Sequence, residues 1–212
     1  MTRRNWVLVL VIVGAVVIAG VLVIGGLAVI GWRIAQQGKT TPDQTPVSEA
    51  DKRLVVTAAD VARLGGPAVD PGADDWSSLR QGNGSRFILY LYEPKSEPRV
   101  SLYSRVVIFP DPAGARQMYQ MDKVTMKLGA RGESYVPAPE LLPEGGSDRS
   151  AWFIEKDGEK IGNFFLIREG RFLQSAKLTG LTLDKPADVQ DLLAPMLSES
   201  RRRTSADGGS KR

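Results

Sequence analysis

Ser150–Thr179 reads SAWFIEKDGEKIGNFFLIREGRFLQSAKLT, and its punctuation decides how the folded part of the chain is built. Ser150–Lys156 is rich in aromatic and aliphatic residues and stops at Asp157-Gly158. That dipeptide tolerates the positive φ angles that a two-residue hairpin needs. Lys160–Arg168 is the returning strand, and Glu169-Gly170 turns it into Arg171–Thr179. Connections this short join antiparallel neighbours, so the stretch predicts a three-stranded antiparallel meander.

Two more strands are predicted upstream. Phe87–Tyr92 (FILYLY) alternates Phe87, Leu89 and Leu91 on one face with Ile88, Tyr90 and Tyr92 on the other. Val100–Phe109 follows after a Pro-containing hairpin loop at Glu93–Arg99. Asp111-Pro112 then opens the clearest helix, an N-cap followed by proline in the first turn. Its inner face is traced by Ala115, Met118, Met121 or Asp122, Val124 or Thr125, and Leu128, and Gly129 ends it. Asp184-Lys185-Pro186 starts a last helix with Val189, Leu192, Leu193, Met196 and Leu197 on its apolar side, and Pro195 is expected to weaken or kink its final turn. Nearer the start, Leu54–Val56 reads as a short strand and Thr57–Leu64 as a helix closed by Gly65-Gly66-Pro67. Thr57 is its N-cap, with Asp60 where a capping-box Glu would usually stand. Residues 67–85 read as loop, with Trp76 the one large hydrophobe to dock, and Pro137–Ser147 as a second loop. The predicted class is α+β: one mostly antiparallel sheet with helices packed on it, covering one face.

The amino end is of another kind. Between Trp6 and Trp32, Val7–Gly31 holds 25 residues drawn only from Val, Ile, Leu, Ala and Gly. As a helix it would extend roughly 37 Å, beyond the ~30 Å hydrocarbon core. In lipid a helix satisfies its own backbone groups, which overrides the strand preference of so many Val and Ile residues. Trp6 and Trp32 suit the two interfaces, with Arg3, Arg4 and Arg33 outside them. The run is too long for a cleaved leader's apolar core, no acylatable Cys exists for a lipoprotein, and a buried core helix would rarely be so uniform. The expectation is therefore a single membrane-spanning helix over 6–32, held in the lipid bilayer. Arg3, Arg4 and the α-amino group set the tail 1–5 in the cytoplasm, and the rest of the chain then faces the extracytoplasmic side. Five residues hold no output domain, so a signal crossing the membrane would need a membrane or envelope partner. The glycines at 14, 20, 25, 26 and 31 and the Ala15–Ala19 pair could meet a second helix, or simply reflect the composition of such spans.

Residues 33–50, polar with two prolines, read as a solvated linker, 51–200 as one α+β domain, and 201–212 (RRRTSADGGSKR) as a disordered basic tail. Thr57-Ala58-Ala59-Asp60-Val61-Ala62-Arg63-Leu64-Gly65-Gly66-Pro67 resembles the T-x-x-D-V-x-x-L-G-G-P-type opening of secreted actinobacterial lipoprotein and sensor-like α/β domains. Phe165–Gly180, with Arg168-Glu169-Gly170-Arg171 at its turn, is similar to their second half. The resemblance spans about 25 residues, and this chain lacks the lipobox and paired cysteines that many such domains carry. It implies a tethered extracytoplasmic accessory or ligand-binding domain and transfers no catalytic residue.

The chain's 212 residues include no His and no Cys, which removes His- or Cys-based nucleophile pairs, His- or Cys-ligated metals and disulfides. The formal charge of +4 suggests an anionic partner until it is located. Residues 51–200 hold 19 basic against 21 acidic side chains, so the positive excess lies in the two ends. Nucleic-acid binding needs a basic folded face, and this reading fails. Arg201–Arg203 could meet anionic lipid or polymer, or be a solvated helix end.

The carboxylates Asp70, Asp74 and Asp75, and Glu155, Asp157 and Glu159, would matter for acid–base or metal chemistry only if they converged. Tyr90, Tyr92, Tyr103, Trp76 and Trp152 could line a groove, though such residues more often pack a sheet against helices. No catalytic, cofactor-binding or metal-binding residue is assigned, no cofactor is implied, and the chain is not expected to be an enzyme. The reading is an anchored domain that binds a partner protein or ligand as an accessory or sensory component. A structural envelope protein acting through anchor and tail, or a hydrolase working without His or Cys, are the alternatives.

Overall fold

The computed structural model describes residues 40–43, 45–95, 97, 99–127, 132–142 and 148–209, and the compact unit treated below is Thr41–Arg80 with Gly84–Arg212. The apolar span 6–32 lies outside the described residues, as do 1–5 and 33–39. Among the described residues no helix is long and apolar enough to cross a membrane.

Among the described residues eight strands form one sheet: β1 (Thr40–Pro42), β2 (Asp74–Gln81), β3 (Arg86–Tyr92), β4 (Ser101–Ile108), β5 (Ser134–Pro137), β6 (Arg149–Lys156), β7 (Glu159–Glu169) and β8 (Phe172–Thr179). Their order is β1-β2-β3-β4-β8-β7-β6-β5, with antiparallel pairing from β2 through to β5. The helices are α1 (Glu49–Lys52), α2 (Ala58–Arg63), α3 (Pro112–Lys127) and α4 (Pro186–Gly209), and Pro139–Leu141 makes a 3₁₀ turn.

The predicted meander is β6–β7–β8. Asp157 and Gly158 take φ of 53° and 84°, the positive values that a type I′ hairpin requires at both centres. Gly162 is needed for another reason: a Cβ there would stand 1.9 Å from the Leu178 carbonyl oxygen on β8. The third strand closes against β4, with Leu102 opposite Leu178 and Val107 opposite Leu173.

The sheet is covered on both sides, not on the one face expected. Ile88, Tyr90, Val106, Phe165 and Leu178 pack with Leu193 and Met196 of α4 and with Val61 of α2. On the other face Val107, Leu166, Leu173 and Trp152 pack with Ala115 and Tyr119 of α3. The Asp111 carboxylate accepts the Gly114 N–H at 2.9 Å, the predicted N-cap of α3. Asp122, rather than Met121, is the inward residue of its turn and pairs with Arg105 on β4, whereas Met121 and Val124 are 50% and 59% exposed. Two cores over one sheet explain why five consecutive residues of β6, Ser150–Ile154, are all buried.

Four local readings change. Leu54–Val56 is a buried turn, not a strand: Gln174 Nε2 donates to the Leu54 carbonyl and the Val56 N–H donates to Ser104 Oγ, so side chains replace ladder bonds. Residues 67–85, read as loop, contain β2, whose polar outer side chains hide its alternation. The 33–50 stretch, read as linker, contains β1 and the start of α1. The 201–212 tail, read as disordered, continues α4 to Gly209, past Pro195 within the helix.

Candidate functional site

Those last two elements meet. Asp43 and Asp51 each hold Arg86 of β3, by Asp43 Oδ2 to Nε at 2.5 Å and Asp51 Oδ2 to Nη1 at 2.8 Å. The other Asp51 oxygen accepts from Arg203 Nη1 at 3.0 Å, and Arg203 Nε donates to Glu199 at 2.8 Å. Arg202 also grips Glu199, at 2.7 Å. An ionic chain thus runs from Asp43 through Arg86, Asp51 and Arg203 to Glu199, joining the first described elements to the last helix. Burial works against ionisation at Asp43, but the backbone N–H and side chain of Thr45 and the Arg86 guanidinium together hold its carboxyl at about 2. The Arg202 bond, helped by Arg203 and opposed by burial, holds Glu199 at about 2 as well. Asp51 is also lowered: burial opposes it, and Arg203, Ser48 and Arg86 prevail.

Beside this chain opens a cleft of about 480 Å³ between α1, the start of α2, β2 and the middle of α4. Its apolar part is Val55, Trp76 and Pro195; its polar rim includes Lys52, Arg53, Thr57 and Ser198. Trp76 is fixed from below by Tyr90, with ring centroids 4.6 Å apart, and Tyr90 is fixed in turn because its hydroxyl accepts the Ala58 N–H at 3.2 Å. Lys52 Nζ lies 5.6 Å from the Trp76 ring centroid. Asp60 and Glu199 also border the cleft, but their oxygens are engaged. Asp60 accepts from the Thr57 N–H, the Thr57 hydroxyl and Arg63. Of these lining residues the sequence offers only Trp76 as a groove residue: Thr57 and Asp60 read as a helix cap, Val55 as strand and Pro195 as a helix kink, while Lys52, Arg53, Ser198 and Glu199 carry no local signal.

The acidic residues weighed as chemistry do not converge. Asp74 and Asp75 are exposed at the start of β2, and the half-buried Asp70 donates its N–H to Tyr92 Oη at 2.9 Å. Glu155 pairs in register with Lys160 and Lys156 with Glu159, next to the exposed Asp157 tip. β2 and β6 stand five strand spacings apart, roughly 24 Å, so the two groups cannot share one substrate atom. Among the described residues no three His, Cys, Asp or Glu side chains are placed to hold a metal ion. Tyr90, Tyr92 and Trp152 are core residues, whereas Tyr103 is 40% exposed. With Leu91, its neighbour across the β3–β4 pair, Tyr103 forms an exposed apolar patch on the α3 side of the sheet.

In class this is an antiparallel α+β domain with helices on both faces of its sheet, and a cleft lined by Trp76 opens among its described residues. Its fold is similar to one solved structure, the extracellular domain of PknH from Mycobacterium tuberculosis, with a TM-score of 0.52 at 12% identity over 76% of this chain and 100% of that one. No protein-family model and no curated protein sequence matches the chain.

Proposed function

We propose that the protein is a membrane-anchored extracytoplasmic component whose folded domain senses a small ligand in the cleft between α1, α2 and α4. The observation that carries the reading is that a fold shared with an extracellular domain presents a cleft with a pre-set aromatic floor. The 25-residue apolar run before the domain supplies the anchor in this reading. The cleft borders the ionic chain at Glu199, so occupancy could be felt at Asp43, where the chain comes from the expected anchor. A partner protein has its own candidate surface in the Leu91–Tyr103 patch.

The topology is tested on full-length protein in intact spheroplasts. External protease should remove the folded domain while leaving a cytoplasmic marker whole. Digestion only after the membrane is opened would refute the reading. The sensory part is tested by screening a chemically mixed library against the full chain in nanodiscs, with binders required to lose affinity in Trp76→Ala.

A further inference from the structure

The polar groups around Trp76 are unequally available, and the inequality states what the cleft can take. The cleft's buried acid, Glu199, is neutralised by Arg202 and Arg203, and Asp60 is saturated by Thr57 and Arg63. Neither is free to receive a cation. The basic residues differ. The ion pair of Lys52 is with Glu49, whose side chain is 83% exposed, a surface pair that contributes little and exchanges readily, and its ammonium otherwise rests over the Trp76 ring. Arg53 is exposed, and no ion pair engages its guanidinium among the described residues.

The floor adds a second requirement. Trp76 offers a single aromatic platform, with no facing ring across the cleft among its lining residues. A flat apolar ligand would leave the rim hydroxyls of Thr57 and Ser198 against carbon. A pyranose instead has one face of C–H bonds, which suits the negative face of an indole, and an edge of hydroxyls for the rim. The Thr57 hydroxyl already donates to Asp60, so it remains an acceptor for a sugar O–H. The volume lies within the ~300–1,000 Å³ of small-molecule sites.

From these features we infer that the cleft binds a saccharide ring carrying an anionic substituent, its C–H face on Trp76 and its anion between Lys52 and Arg53. The inference rests on the reading of the cleft as a ligand site and narrows its chemistry. Lys52 Nζ lies over the indole at 5.6 Å from its centroid, so a stacking sugar ring displaces the ammonium from that face, and the displaced ammonium meets the anion at the edge of the ring.

Ligand-observed NMR on the full chain in nanodiscs provides the test, using glucuronate, glucose 6-phosphate, glucose and inorganic phosphate as probes. Glucuronate and glucose 6-phosphate should both bind with saturation transferred to the sugar ring protons, and glucose should bind at least tenfold more weakly. Arg53→Glu, an exposed substitution that spares the core, should weaken both acidic sugars at least tenfold. Trp76→Ala, checked for folding by circular dichroism, should abolish transfer to the ring. Glucose binding as tightly as glucuronate would overturn the anionic requirement, and phosphate matching glucose 6-phosphate would overturn the ring. If no probe binds while a Trp76-dependent library compound does, the ligand class fails and the sensory reading stands. If no Trp76-dependent binder of any kind exists, both fail.

Discussion

Strands β7 and β8 at the centre of the sheet and the segment Asp43–Asp51 beside β2 are held by different forces. Phe165, Leu166, Leu173 and Leu178 are buried against helices on both faces, and their stability comes from apolar area removed from water. The Asp43–Asp51 segment buries little of that kind. It is fastened by Arg86, which bonds Asp43, Asp51 and the backbone carbonyls of Thr45 and Pro46, and by Arg203 from the far end of the chain. The central strands are local hairpins with a continuous core. The flank is a non-local ionic clasp, and the cleft opens on the clasped side. The cleft is thus tied to the region held by charge, which pH can adjust more readily than packing.

The comparison is broken most severely at the centre. Phe165 is 1% exposed, so Phe165→Ala should cost about 3–5 kcal/mol through lost transfer energy and the cavity left behind. Urea unfolding of the full chain in mild detergent should show the midpoint falling by that equivalent, equally at neutral and acidic pH. A pH-dependent loss would mean that the core and the clasp are not separate. Asp51→Ala comes next. It leaves Arg86 and Arg203 each short of a partner, but both guanidiniums keep some exposure (15% and 21%), so the fully buried cost is discounted to about 2 kcal/mol. Hydrogen exchange should then speed up in 43–56 and around 203 while β7 and β8 stay protected. Uniform loss of protection would show that the clasp is part of the core.

The same contrast governs what could be read from residues alone. The meander was legible because Asp157-Gly158 and Glu169-Gly170 are local signals and the strands between them are long apolar runs. The N-cap of α3 was legible for the same reason, since Asp111 reaches only as far as Gly114. β2 was not, because its ladder partners supply the order while its own side chains are polar. Nor was the ordered stretch at 201–209, where three arginines look solvated until Glu199 and Asp51 are brought beneath Arg202 and Arg203. Asp51 and Arg203 are 152 positions apart, and no local pattern announces such a pair. The cleft inherits this illegibility: of its lining, only Trp76 reads in sequence as a groove residue, Thr57, Asp60 and Pro195 read as helix punctuation, and they meet only because the fold gathers them.

Acid should sharpen the contrast with a smaller effect. Asp43 and Glu199 have carboxyls at about 2 in the folded protein, against ordinary values of 3.8 and 4.5. A depressed folded-state value stabilises the fold above the unfolded value, and that stability is lost as pH falls towards the folded one. The clasp's contribution should therefore be complete above roughly pH 5 and decline from there to about pH 2. Urea midpoints measured at pH 7, 4 and 2.5 should fall across that window, with Glu199→Gln showing a shallower fall than the wild type. An unchanged slope would mean that other carboxylates set the acid limit.

The smallest effect lies at the cleft's edge, where the helix signal was local and the site was not. Asp60 accepts from both the N–H and hydroxyl of Thr57, at 2.8 and 2.7 Å, and thereby fixes the first turn of α2. Asp60→Ala should cost about 1 kcal/mol, the usual size for a helix cap. It also frees the Thr57 hydroxyl to rotate. Because the Ala58 N–H is bonded to the Tyr90 hydroxyl, and Tyr90 supports Trp76, loosening the turn should reach the cleft floor. The variant should thus shift the Trp76 indole N–H resonance while lowering the unfolding midpoint by no more than the equivalent of that ~1 kcal/mol. A Trp76 resonance left in place, with α2 measurably frayed, would show that the floor is held by β2 and β3 alone.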